Sequence, residues 1–299
     1  MDTEVEQVRT KGALLHVERS GQGPALVLIP GGGGDAGVYG DVVPLLAGRF
    51  TVVTFDRRGN SRSRLDEPDG PVEMSDQAGD VVSILDHYGI DRAFVFGSSG
   101  GAIIAVELLT RHADRLLGAV VHEPPLVQIL PADSAERRAL EDIARLGREK
   151  GAMRAYAAFG AMTMDDPPGI FRSAFGQALI AVATRWGLAA GSVLRGITRR
   201  EPSAMTRLLG NADLLIEREL PAICFSYRPD LDALREAGVP WCTAVGEHSA
   251  GRPYHRPALV IAERLGVSCE TFPGGHTVYQ QSPADFTTRL NTILDRYSS

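Results

Sequence analysis

The chain has 299 residues, 44% hydrophobic and 23% charged, a composition that suits one large globular domain or a domain carrying an insertion. Its net charge of −6, with a pI near 5.7, lacks the basic footprint of a nucleic-acid or anionic-membrane binder. Met1 to Arg9 has no apolar run of the secretory-signal kind and no stretch is long enough for a membrane span, so a cytoplasmic protein is the default expectation.

Leu14 to Glu18 alternates as a short strand after the Lys11-Gly12 turn. Ala25 to Ile29 is a continuous apolar run, the pattern of a strand buried on both faces. Val42 to Leu46 has helical spacing, and Thr51 to Phe55 returns to β-branched and apolar residues. Ser75 is a candidate N-cap for a helix that carries Val81, Val82, Ile84 and Leu85 on one face and stops at Gly89. A buried run, Ala93 to Phe96, leads through Gly97-Ser98-Ser99-Gly100-Gly101 into a helix over Ala102 to Leu109, and Leu117 to Val121 is a further buried run. Strands alternating with helices predict an α/β architecture: a mostly parallel central sheet with helices on both faces.

Beyond Leu126 the alternation stops. As far as Ala237 no buried strand pattern occurs, and helices are expected over 136–150, 152–162, 173–190 and 204–219, punctuated by Pro167-Pro168 and Pro202. Their large apolar residues, among them Met153, Phe159, Met162, Phe175 and Trp186, are expected in a core or a pocket wall. Strand patterns return at Val239 to Val245 and Val267 to Phe272, each followed by a loop and a helix, over 257–265 and 283–297. The predicted organisation is a core of residues 1–125 and 238–299, with a helical cap over 126–237 inserted after the sixth strand. Cys224, Cys242 and Cys269 are odd in number and lack metal-type spacing, so they read as reduced core thiols, and no metal is expected.

Chemistry is concentrated where strands end. A serine flanked by glycines at a strand-to-helix turn, Gly97-Ser98-Ser99-Gly100-Gly101, is a nucleophile elbow: the sharp turn admits only small neighbours and lifts the Ser99 hydroxyl above the sheet. A hydroxyl needs a base within reach, and His276, in the Gly-rich loop after the last predicted strand, opens at the same sheet edge. The base needs a carboxylate to fix its tautomer. Glu247 lies in the loop after the penultimate strand, but Ser249 occupies the position there where an Asp would be expected. Glu123, at the end of the strand after the elbow helix, is the preferred acid and Glu247 the alternative. Two backbone amides must hold the oxyanion: Gly100 supplies one by position, and Gly32, in Pro30-Gly31-Gly32-Gly33-Gly34, supplies the second. Gly32, Gly34 and Gly37 have G-x-G-x-x-G spacing, but Asp35 interrupts the run and no Lys follows as in the other phosphate-binding pattern, so a nucleotide site is not the expectation. Ser98 reads as packing or hydrogen bonding, His248 and His255 as surface residues, and His122 as pointing to the face opposite Glu123.

Pro30-Gly31-Gly32, Phe55-Asp56-Arg57-Arg58-Gly59-Asn60-Ser61-Arg62-Ser63, Gly97-Ser98-Ser99-Gly100-Gly101 and Gly275-His276 together resemble a capped α/β-hydrolase-fold enzyme. The likeness covers residues 12–125 and 238–297. Family members commonly carry His-Gly where this chain has Pro30-Gly31, which leaves the backbone donor in place. The position of Glu123 is similar to that of the triad acid in some haloalkane dehalogenases. Those enzymes use an Asp nucleophile, so Ser99 here implies acyl transfer. The expected activity is hydrolysis of a small to medium, largely apolar ester, thioester or lactone through an acyl-enzyme, with no cofactor, a small-molecule substrate as partner, and homo-oligomerisation left open. Carbon–carbon bond hydrolysis, perhydrolysis, a biosynthetic tailoring reaction and a non-catalytic ligand-binding role are the alternatives. The Asp56-Arg57-Arg58-Gly59 segment is expected to shape a loop near the site and carries no assigned chemistry.

Overall fold

A computed structural model describes residues 3–198 and 201–298. Among these, nine strands form one sheet: β1 Thr3–Thr10, β2 Ala13–Ser20, β3 Ala25–Ile29, β4 Thr51–Phe55, β5 Arg64–Leu65, β6 Ala93–Ser98, β7 Leu116–His122, β8 Trp241–Gly246 and β9 Cys269–Phe272. They run in the order β1-β2-β4-β3-β6-β7-β8-β9, with β5 paired to β2 at the side. β1, β2 and β4 pair antiparallel; β4, β3, β6, β7, β8 and β9 are mutually parallel. The expected mostly parallel sheet is therefore present.

The continuous apolar runs have a physical origin. Every residue of β3, β6 and β8 is buried, because helices cover both faces and side chains alternate between them. Val27, Ile29, Val95, Ala119 and Val121 enter one core with helices Met74–His87 and Gly100–Arg111. Leu26, Leu28, Phe94, Phe96 and Val120 enter a second core with helix Pro283–Tyr297. Each such side chain contributes roughly 1.5–3 kcal/mol of burial, and together they make the sheet a rigid platform for loops at its carboxyl edge.

Between β7 and β8 lie helices Ala135–Lys150, Ala152–Thr163, Ala174–Thr198 and Ala204–Gly210, then two wide π-type turns, Leu215–Glu219 and Ala222–Ser226. The insertion follows the sixth strand once the two-residue β5 is set aside. Among the described residues no helix is long and apolar enough to cross a membrane.

Four local expectations need correction. The helix predicted to start from Ser75 has Glu73 at its N-cap, because Met74 already packs into the core as the first helical residue. The single helix expected over 204–219 is broken at Asn211, whose side chain bonds to the Gly33 carbonyl and to Ser61 instead. Phe175 and Trp186 are 81% and 74% exposed on the outer side of their helix, while its inner side carries the buried Gly176. Cys269 is half-buried rather than a core thiol, unlike the buried Cys224 and Cys242. Of the polar N-terminal segment, Met1 and Asp2 lie outside the described residues and the rest forms edge strand β1.

Candidate active site

The elbow is built by steric necessity. A Cβ on Gly97 would overlap the Gly101 carbonyl oxygen, and one on Gly101 would overlap the Ile29 carbonyl oxygen. Between them Ser99 has φ 55° and ψ −119°, a conformation that costs a non-glycine residue on the order of 1–3 kcal/mol. The Ser99 N–H donates to the His122 carbonyl at 2.9 Å, which pins the bend to the end of β7. The helix beginning at Gly100 directs the positive end of its dipole at this point.

His276 and Glu123 meet from opposite directions along the chain. His276 Nδ1 lies 2.5 Å from Glu123 Oε2, and the Gly246 N–H donates to Glu123 Oε1 at 2.7 Å. Both residues are buried, Glu123 completely. An ionised carboxylate only accepts, so this contact puts the imidazole proton on Nδ1 and leaves Nε2 with a free lone pair. Backbone bonds from Glu247 N–H to the Phe272 carbonyl and from His248 N–H to the Gly274 carbonyl, both 2.9 Å, tie the loop after β8 to the loop that carries His276. Glu247 itself has an exposed side chain. The buried Ser249 hydroxyl stands beside Glu123 without a well-formed hydrogen bond.

Burial is the largest influence on Glu123 and raises its carboxyl, but it is outweighed by the charge of His122, the hydrogen bond and charge of His276, and the Ser249 hydroxyl. The group is held well below the usual carboxylate range. His122 is pushed down to about 4, first by complete burial, which the charge of Glu123 opposes and that of His276 reinforces. At neutral pH His122 is uncharged, so the hydrogen bonds Glu123 accepts from His276 and from the Gly246 N–H hold it ionised there.

His122 keeps the strand's alternation, packing on Phe96 and Phe272 on the face of Val120, yet its ring also lies against this cluster because Glu123 is the residue that turns. Glu123 has φ 50°, which ends the alternating pattern, and the His122 ring sits 6.2 Å from that of His276, nearly parallel to it. Its Nδ1 lies 3.2 Å from Ser98 Oγ, so Ser98 is a buried hydrogen-bonding neighbour of the elbow. On the other side Tyr254 stacks on His276 with ring centroids 3.8 Å apart. No sequence signal marked Tyr254; its loop, Gly251-Arg252-Pro253-Tyr254, has no periodicity or motif.

Gly32, Ser99 and Gly100 line one cavity of about 30 Å³, room for one water, walled by Phe159, Met162, Leu215, Leu220, Ile223 and Cys224 among others. A much wider cleft of about 850 Å³, bordered by Arg62, Arg64 and Arg207, includes none of Ser99, Glu123 or His276. Size is therefore a poor guide here, and convergence of strained backbone with perturbed titratable groups is a better one.

The loop bearing Gly32 is fastened by the Asp56-Arg57-Arg58-Gly59 segment and by the insertion. Asp56 accepts from the Ala36 N–H at 2.8 Å. Arg57, 1% exposed, donates to the Gly31 carbonyl at 3.0 Å and makes two 2.7 Å bonds to Glu219. Asp35 takes a two-pronged contact from Arg207 at 2.6 and 2.9 Å. Sequence reasoning placed Arg57 only in a segment expected to shape a loop near the site and missed Glu219, because the two lie far apart in the chain and only the fold joins them.

A family model described as the alpha/beta hydrolase fold matches residues 24–161. An uncharacterized hydrolase, YraK of Bacillus subtilis (strain 168), is 30% identical over 296 residues, covering 97% of this chain and 95% of that one. A zearalenone hydrolase of Bionectria ochroleuca is 38% identical over 117 residues, 38% of this chain and 44% of that one. Among solved structures, an esterase of Thermogutta terrifontis superposes with a TM-score of 0.66 at 17% identity, covering 99% of this chain and 100% of that one. Similarity along nearly the full length, on this sheet and with this elbow, makes the chain a member of the α/β-hydrolase fold family.

Proposed function

We propose that the protein is a serine hydrolase that cleaves an apolar ester, thioester or lactone through an acyl-enzyme, with residues 126–237 acting as a cap on a core of 1–125 and 238–299. Ser99 Oγ attacks the substrate carbonyl carbon while His276 Nε2 takes its proton; Glu123 holds the imidazole in the Nδ1–H tautomer and stabilises the imidazolium. The N–H groups of Gly32 and Gly100 receive the oxyanion. The tetrahedral intermediate collapses, His276 protonates the leaving oxygen or sulfur, and a water deprotonated by His276 then releases the acyl group.

The observation that carries this reading is the buried 2.5 Å contact between His276 and Glu123, together with a serine held at φ 55° whose N–H bonds to the carbonyl of His122, the residue before Glu123. The apolar wall around Ser99 supports an uncharged acyl group, because a carboxylate or ammonium there would lose its water without gaining a partner. A cavity of about 30 Å³ is too small for such a substrate, so entry requires the side chains of the insertion to move. Ser99→Ala should lower kcat on p-nitrophenyl butyrate by at least about 10⁴-fold with an unchanged melting profile. Substantial hydrolysis by that variant would overturn the assignment.

A further inference from the structure

The proposed oxyanion donor is not an isolated amide. The Gly32 N–H and the Gly31 carbonyl belong to one peptide unit, and no peptide bond among the described residues is cis, so the two groups point in opposite directions. The carbonyl side of this unit meets a guanidinium: Arg57 Nη2 donates to Gly31 O at 3.0 Å. We propose that Arg57 is a positioning residue of the hydrolytic site, fixing and polarising the Gly31–Gly32 peptide so that its N–H is aimed at the developing oxyanion, with Glu219 of the insertion locking the guanidinium in place. The inference rests on the serine-hydrolase reading above and adds to it a group that never touches substrate.

Three observations bear on it. First, Arg57 is saturated on the side that matters: Nη1 reaches Gln77 Oε1 and Glu219 Oε1, each at 2.7 Å, and Nη2 reaches Glu219 Oε2 at 2.7 Å and Gly31 O. The planar fork can face only one way, so the plane of the peptide it contacts is fixed with it. Second, Arg57 and Glu219 are each about 1% exposed, and a charge-assisted bond in so dry a place polarises the peptide strongly, strengthening the bond its N–H makes on the far side. Third, Glu219 is itself held, accepting from Asn60 Nδ2 at 2.9 Å. The contacts run without a gap from the insertion, through Glu219 and Arg57, to the peptide facing the reaction. Burying a charged pair between apolar cores is seldom the most stable choice, which fits a positional role better than a purely structural one.

The test compares Arg57→Lys with the charge-balanced double variant Arg57→Gln/Glu219→Gln, which leaves no unpaired buried charge. Each is assayed with p-nitrophenyl butyrate and with an alkyl trifluoromethyl ketone, whose adduct with a serine carries an oxyanion. In the folded double variant kcat should fall roughly 10- to 100-fold, KM should change less than about 3-fold, and inhibitor affinity should fall in parallel with kcat. Arg57→Lys, which keeps the charge without the fork, should fall between this and the parent. A folded double variant with parental kcat and inhibitor affinity would overturn the inference. Should the double variant fail to fold, Arg57→Lys decides, and parental kcat in that variant overturns the inference as well. Ser99→Ala run alongside separates the two proposals: an active Ser99→Ala removes the underlying reading, whereas an inactive Ser99→Ala beside an unaffected Arg57 series removes this inference alone.

Discussion

Glu123 follows a strand yet leaves its alternation at φ 50°, and that single backbone value lets its carboxylate reach both Gly246 N–H and His276 Nδ1. Glu123→Gln should lower kcat by about 10³–10⁴-fold, since an amide can present a donor to Nδ1 and favour the wrong tautomer. Glu247→Gln, altering an exposed side chain, should stay within about 2-fold of the parent on the same scale. Steady-state kinetics on one ester decides both, and the reverse ranking would move the acid to the later loop. Ser99 and His276 were legible because a glycine-flanked elbow and a Gly-His loop have local patterns. Between the two carboxylates the sequence offered only a preference for Glu123, resting on Ser249 standing where an Asp would be expected; the positive φ that turns the Glu123 carboxylate toward His276 has no sequence pattern. Arg57 was visible only as part of a charged loop; its role needs Glu219, which lies in the insertion and which no spacing rule connects to it.

At the scale of elements, legibility followed burial. β3, β6 and β8 are buried along their whole length and read directly from apolar runs. β1 went unrecognised: it pairs with β2 alone, exposes Val5 at 54%, and buries only Val8 and Thr10. The helix over 204–219 looked continuous from composition but breaks where Asn211 turns to the core loops. The elbow itself offers a steric prediction. Gly101→Ala sets a Cβ against the Ile29 carbonyl, backbone that cannot step aside, and should cost about 2–3 kcal/mol. Gly79→Ala, in helix Met74–His87 with open space around its Cβ, should instead stabilise by about 0.5–1 kcal/mol. Urea unfolding of the two variants checks the contrast, and equal behaviour would refute the steric account of the turn.

For the molecule as a whole, His122 and Glu123 make folding sensitive to acid in two successive windows. His122 is lowered from 6.5 to about 4 by burial, so below pH 6.5 the unfolded chain gains a proton there that the folded chain refuses, and stability declines as pH falls toward 4. The full loss from this group is about 3 kcal/mol. Glu123, whose folded carboxyl is held low, contributes stability that is present above its unfolded pKa and is lost only at still lower pH, as its own pKa is crossed. His122→Phe should flatten the decline of unfolding free energy between pH 7 and 4 by about that amount, measured by urea titration at intervals of pH; an unchanged slope would mean that the ring is not held neutral. The buried Arg57–Glu219 pair has a different consequence, for modularity. Swapping in the corresponding segment of another relative, with no acid to meet Arg57, would strand a cation in a dry interior at a penalty of roughly 3–5 kcal/mol. Chimeras that seek a new specificity must therefore redesign position 57 together with the graft, because the two pieces of this hydrolase share a counter-ion.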